Sequence, residues 1–123
     1  METKTVTIRE ATVEDAKALR ELRLEALQDR PEAFGSDHER ESKLPLSHTE
    51  ERLRDSASST TFVAVNESAL VGMTGIDQYH HTKTKHNAMI WGVYVQPAWR
   101  GLNISGQLLE ACVDWAKQRS LKA

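Results

Sequence analysis

The run Ala88 to Val95, A-M-I-W-G-V-Y-V, is the most apolar stretch of the chain and holds neither a charge nor a proline. Dense with strand formers and far too short to span a bilayer, it reads as a β-strand. Pro97 stops it. A short loop follows, and from Ile104 the apolar positions Leu108, Leu109, Cys112, Trp115 and Ala116 recur at helical spacing. A strand this apolar needs cover from other layers, and the coupled helix is the first of them.

The remaining layers follow the same logic. Thr5 to Arg9 alternates as T-V-T-I-R, a short strand with Val6 and Ile8 on one side. Thr12 followed three residues later by Asp15 predicts a capping box with Asp in place of the usual Glu or Gln. From Ala16 a helix carries Leu19, Leu22, Leu24 and Leu27, with Arg20, Glu21 and Arg23 outside, and Pro31 ends it. Glu32 to Ser42 is polar and reads as a loop with Phe34 as its aromatic plug. Ser47 is placed to cap a second helix, His48 to Asp55. Thr61 to Val65, the turn Asn66-Glu67-Ser68 and Leu70 to Gln78 form a hairpin. Gly72 and Gly75 weaken the second strand locally, as residues at a bend or a close approach do. Tyr79 to Asn87 is a polar hairpin tip leading into the apolar strand. The order strand, helix, helix, three antiparallel strands, helix predicts one mixed α/β domain over residues 1–123.

Composition narrows the function classes. Hydrophobic residues at 39% and charged residues at 28% suit a folded globular protein. A formal charge of -2 gives no reason to expect nucleic acid or an anionic membrane as a partner. No run approaches a membrane span, and the N-terminal residues lack a secretory apolar stretch. The single cysteine, Cys112, excludes an internal disulfide and fits a reducing cytoplasm.

The junction V-Y-V-Q-P-A-W-R-G-L-N-I-S-G-Q-L-L carries the chemistry. A strand joined to a helix start through a loop with Gly101 and Gly106 gathers unpaired backbone N–H groups and the positive end of a helix dipole at one spot. An anion can bind there without a dedicated side chain, and Arg100 stands beside it. An ordinary turn with Asn103 as a cap and Arg100 in solvent has the same spacing.

The segment W-G-V-Y-V-x-P-x-x-R-G-x-x-I-x-x-x-L-L resembles the acetyl-CoA-binding segment of the GNAT N-acetyltransferase superfamily. I-R-x-A-x-x-x-D-A at Ile8 to Ala16, R-L-E-A-L at Arg23 to Leu27 and P-E-A-F at Pro31 to Phe34 resemble the opening of its bacterial members, in register over the whole chain. The family motif Gln/Arg-x-x-Gly-x-Gly/Ala falls on Arg100, Gly101, Leu102, Asn103, Ile104 and Ser105. Two residues depart from it. Asn103 replaces a glycine with the residue that best tolerates a left-handed backbone, and Ser105 adds a hydroxyl near the phosphate path.

The resemblance implies a GNAT-like fold that uses acetyl-CoA as co-substrate to acetylate a primary amine on a small molecule or peptide. Leu102 to Gly106 with Arg100 would hold the pyrophosphate. The backbone of Val93, Tyr94 and Val95 would hold the pantetheine arm, with a main-chain N–H polarising the thioester carbonyl. From the residues alone, Val93 and Val95 read as core and Tyr94 as facing the helices. Phe34 to Arg54 would line the acceptor pocket. The strand that ends at Val95 lacks the Glu that family members often carry, which leaves Asp77 and Tyr79 as the nearest candidates for proton transfer. The alternative is a non-catalytic remnant that binds coenzyme A or a partner without turnover.

No metal is expected. His80, His81 and His86 lack the spacing and the nearby cysteine that would make a zinc site specific. The resemblance also implies a further strand after the last helix, beyond Ala123, so the domain is expected to be C-terminally truncated. Its neighbour, Ala88 to Val95, would then present a bare apolar edge, and a homodimer is the expected remedy.

Overall fold

The computed structural model describes residues 5–29, 38–54, 59–78 and 88–118. Strand β1 spans Thr7–Glu10, and a 3-10 turn at Val13–Asp15 leads into helix α1, Ala16–Asp29. The turn is organised by Asp15: its Oδ2 accepts the Thr12 backbone N–H at 2.7 Å, and both oxygens accept the Arg9 guanidinium at 2.7 and 2.9 Å. The Arg9 contact is the main reason that the Asp15 carboxyl is held down at about 2, well below the usual range.

Helix α2, His38–Ser42, and helix α3, Leu46–Arg54, follow. The expected polar loop over Glu32 to Ser42 is thus corrected at its end, where a short helix forms. α3 also begins two residues before the predicted His48, on Pro45, whose fixed φ suits a helix entry and whose carbonyl accepts the His48 N–H at 3.0 Å. α2 is held by two residues of α1 assigned to the outside. Arg20 Nη2 donates to the carbonyls of Ser42 and Leu44, and Arg23 makes a bidentate pair with Glu41 at 2.6 and 3.0 Å. Helical periodicity separates apolar from polar faces. It does not reveal that a polar face is covered by another element.

Strands β2 (Ser59–Asn66), β3 (Ala69–Gln78) and β4 (Ala88–Val95) complete an antiparallel sheet of order β1-β2-β3-β4. Glu67 turns the β2–β3 hairpin with a left-handed φ of 58°. Alternation along β2 distributes its side chains between two cores. Phe62 and Ala64 join Val71, Ile76 and Val95 beneath helix α4, Ile104–Gln118, which contributes Leu108, Cys112 and Trp115. Val63, with Leu70, Met73 and Tyr94, packs on the other face against Leu19, Leu22 and Ala26 of α1. The result is a helix–sheet–helix sandwich with β4 at one edge.

One irregularity sets the shape of that edge. Met73 pairs with Tyr94 and Gly75 with Trp91, so Thr74 alone is opposed by both Gly92 and Val93. Gly92, at φ 64°, makes the extra residue possible. The Thr74 hydroxyl, buried under the bulge, donates to the Trp91 carbonyl at 3.2 Å. The bulge bends β4 and leaves Val93 37% exposed while Val95 stays buried, so the expectation that Val93 is core does not hold. Tyr94 faces α1, on the side assigned to the helices.

Candidate functional site

Two clefts flank β4, and the first is built almost wholly from contiguous sequence. After Val95 the Gln96 N–H continues the ladder to the Val71 carbonyl, and Pro97–Trp99 makes a single 3-10 turn. The loop then takes two left-handed steps, at Gly101 (φ 84°) and Asn103 (φ 61°), and enters α4. Asparagine bears a left-handed φ better than other side chains, as expected for Asn103. A Cβ on Gly101 would meet nothing within 4 Å, so its requirement is conformational alone. Gly106 differs: a Cβ there would collide with the Asn103 carboxamide, which lies directly over it as an N-cap side chain does. The Gln107 N–H donates to the Asn103 carbonyl at 3.2 Å, which closes the first turn. The N–H groups ahead of it in α4 have no intrahelical acceptor.

These steps enclose a cleft of about 320 Å³ between the end of β4 and the start of α4. All the residues expected to hold a coenzyme line it except Leu102 and Gly106: Leu102 points to solvent, and Gly106 lies beneath Asn103. Trp99 adds a half-buried wall. The residues present fit an elongated anionic ligand. Open space above Gly101, a helix start with unused N–H groups and the exposed Val93 backbone all face the same volume.

Arg100 is not simply a solvated cation. Its Nε donates to the Val95 carbonyl at 2.9 Å, its Nη2 to Asp29 at 2.7 Å, and its guanidinium lies 5.5 Å from the Tyr94 ring centre. The buried Tyr94 hydroxyl donates to Glu25 at 2.8 Å with Asp29 at 3.2 Å, and Gln96 Nε2 donates to Glu25 at 3.1 Å. Burial, then the Glu25 carboxylate, push the Tyr94 ionisation well above its ordinary value, so the phenol stays protonated as a donor. Two acids of α1, one turn apart, thereby latch the whole loop to that helix. The sequence reasoning did not find this latch. Its one signal was two acids near a helix C-terminus, where the dipole disfavours them.

The second cleft, of about 340 Å³, opens on the opposite side of β4 between α3 and the ends of β2 and β3. Asp77 lines it, together with His48, Glu51, Arg52 and Trp91. The Trp91 indole lies flat on Gly75, where a Cβ would collide with the ring. That is the close approach expected of a strand glycine. Arg52 stands over the same ring at 4.8 Å from its centre and Arg23 at 5.8 Å. The Trp91 Nε1–H is buried without an acceptor among the described residues. Of these groups only Asp77 was given a chemical role from the sequence, Trp91 reads there as a core or cofactor-rim residue, and α3 only as part of a pocket wall. Tyr79 and the histidines at 80, 81 and 86 lie outside the described residues. Among the described residues no three His, Cys, Asp or Glu side chains gather as metal ligands, and no helix is long and apolar enough to cross a membrane.

Comparison with known proteins bears on the family and the fold. The model of the acetyltransferase (GNAT) family matches residues 17–123. Among curated proteins, none matches the sequence significantly. A GNAT-family acetyltransferase from Streptococcus pneumoniae superposes with a TM-score of 0.83 at 18% identity, over 96% of this chain and 70% of that one. The PaiA N-acetyltransferase of Thermoplasma acidophilum, in complex with coenzyme A, gives 0.73 at 18% identity over 96% and 76%. YncA, a putative acetyltransferase from Salmonella typhimurium with its cofactor acetyl-CoA, gives 0.78 at 19% identity over 96% and 66%.

Proposed function

We propose that this chain, which belongs to the GNAT acetyltransferase family, binds acetyl-CoA in the cleft at the α4 start and passes the acetyl group to a primary amine held in the cleft across β4. The observation that carries the reading is the double left-handed loop, Gly101 and Asn103, opening a helix start onto a cleft bordered by an exposed strand edge. The backbone of Leu102 to Gly106 would take the pyrophosphate, with Arg100 beside it. Val93 to Val95 would take the pantetheine arm along the strand edge.

When bound, acetyl-CoA supplies an activated thioester. The chain's residues then have three tasks. The Val93 region offers a main-chain N–H to the carbonyl oxygen, where negative charge grows as the amine attacks. Asp77 accepts the proton that the ammonium must lose before its nitrogen can bond to the carbonyl carbon. Tyr79 is proposed to return a proton to the sulfur once the carbon–sulfur bond breaks. Calorimetry with coenzyme A and with a pantetheine fragment lacking the pyrophosphate tests the first cleft: the fragment should bind far more weakly. Equal affinities would exclude the pyrophosphate assignment.

The outer edge of β4 supports a second part of the proposal, a homodimer. Among the described residues β4 has a partner only in β3, and Met89 on it is 46% exposed. The bulge at Gly92 divides the edge, leaving Ala88 to Trp91 for a second chain and Val93 to Val95 for the coenzyme arm. Sedimentation at micromolar concentration should give a dimer, and a monomer with a cooperative melt would exclude it. With Cys112 as its single cysteine, the chain is proposed to work in the reducing cytoplasm.

A further inference from the structure

The second cleft carries an asymmetry that speaks to its occupant. Two guanidinium groups share the Trp91 ring, yet their situations differ. Arg23 is matched by Glu41 through two short hydrogen bonds. Arg52 makes no hydrogen bond or ion pair among the described residues, and its guanidinium stacks on the indole. Desolvation, then the like charge of Arg23, lower its pKa, and the carboxylates of Asp77 and Glu41 only partly oppose them. Stacking occupies the face of a guanidinium and leaves its edge, with the N–H fork, free to meet a planar anion.

The same cleft holds the opposite charge as well. Asp77 and Glu51 line it beside the hydroxyls of Ser59 and Thr61. A cation and carboxylates around one small volume suit a ligand that carries both signs. At about 340 Å³ the cleft is at the small end of ligand pockets.

We infer that the amine acceptor is a free amino-carboxylate, an α-amino acid or a compound of that chemistry, whose carboxylate is gripped by the Arg52 fork on the Trp91 platform while its amine faces Asp77. The inference rests on reading this cleft as the acceptor site. It disfavours polyamines and aminoglycosides, which bring only positive charge to Arg52 and offer it no acceptor anion.

Binding and turnover separate this inference from the reading beneath it. Calorimetry on the coenzyme A-loaded protein would compare a panel of L-amino acids with the corresponding L-amino acid amides, spermidine and kanamycin. At least one amino acid should bind ten or more times tighter than its amide, roughly the worth of a bidentate charge-assisted pair. Arg52→Gln should erase that difference, and Arg52→Lys, which keeps the charge but not the fork, should restore only part of it. Circular dichroism should show an unchanged fold in both variants. Equal binding of acid and amide, a preference that survives Arg52→Gln, tighter binding of spermidine or kanamycin, or no amino acid bound at all would each overturn the inference. Thiol release from acetyl-CoA with the same panel reads the other level. Amino acids bound through Arg52 but never acetylated would refute the transfer reaction and leave the subsite standing. Amides acetylated as well as acids would refute the subsite and leave the reaction standing.

Discussion

The two clefts on either side of β4 are of similar size and opposite construction. The cleft proposed for the coenzyme is made from one continuous segment, Val93 to Ser105, and the groups it would offer are backbone N–H donors set by two left-handed residues. The cleft proposed for the acceptor is assembled from α3, β2, β3 and β4, and the groups it would offer are charged side chains around an indole. A backbone site tolerates sequence change wherever φ is respected. A side-chain site is rewritten by one substitution. A family can therefore keep its co-substrate while changing its acceptor.

Several substitutions would sharpen or break that contrast. The largest effect is expected at Asp77, where removal of a general base typically costs ~10²–10⁴ in rate. Asp77→Asn should lower kcat for acetyl transfer by that order and leave coenzyme A affinity unchanged in calorimetry; a matching loss of affinity would show the clefts are not separable. Next comes Asn103. A β-branched side chain at φ 61° should cost about 2 kcal/mol, so Asn103→Val should weaken coenzyme A binding by roughly 10- to 30-fold. Asn103→Gly keeps the backbone and should leave affinity unchanged or improved. If the glycine variant loses tenfold, the Asn103 side chain touches the ligand and the backbone reading of this cleft is wrong.

Arg100 tests the boundary between the two kinds of site. Arg100→Ala should weaken coenzyme A binding by about 1 kcal/mol, the worth of a charge-assisted hydrogen bond partly committed elsewhere. Asp29→Asn releases the same guanidinium and should tighten binding severalfold. Two losses of equal size would mean that Arg100 serves only to hold the loop.

Smaller effects lie outside both clefts. Asp15, held at about 2 chiefly by Arg9, sits below its ordinary 3.8. The unfolded chain binds the proton first as pH falls, so the stabilisation is complete above ~4 and drains away between there and about 2. Urea midpoints measured across that interval should fall more steeply for the native chain than for Asp15→Asn. Cys112 is the control. It is fully buried, and burial raises its thiol to about 11, so iodoacetamide at neutral pH should leave it unmodified until the protein is unfolded.

The same contrast explains what was legible from residues alone. Every strand, α1 and α4 could be read because each follows a local period or a turn signal, as did the left-handed Asn103. The loop between β4 and α4 was legible as an anion-ready junction because contiguous residues form it, but the same spacing fits an ordinary turn, and its reading as a coenzyme site came from the family resemblance. α2 was not, because five polar residues have no helical period, and what orders them is Arg20 and Arg23 reaching across from α1. Val93 was misplaced because alternation assumes a regular strand, and the bulge that rotates it needs a partner in β3. Arg52 over Trp91 joins residues far apart in the chain. Neither position signals the other, and only the register Gly75↔Trp91, with no side chain on the glycine, makes room for the stack.

Helix α1 touches both sides of this arrangement. Its cations Arg20 and Arg23 hold α2 and reach the Trp91 platform, and its acids Glu25 and Asp29 hold the strand end and loop at Tyr94, Gln96 and Arg100. It therefore carries charged contacts to α2 from its middle and to the β4–α4 loop from its C-terminal end. An anion that drew Arg100 away from Asp29 would release the C-terminal contact, and α1 is the element through which that release would reach Arg23. Thermodynamic linkage makes such coupling symmetric: by whatever factor the first ligand alters affinity for the second, the second alters affinity for the first.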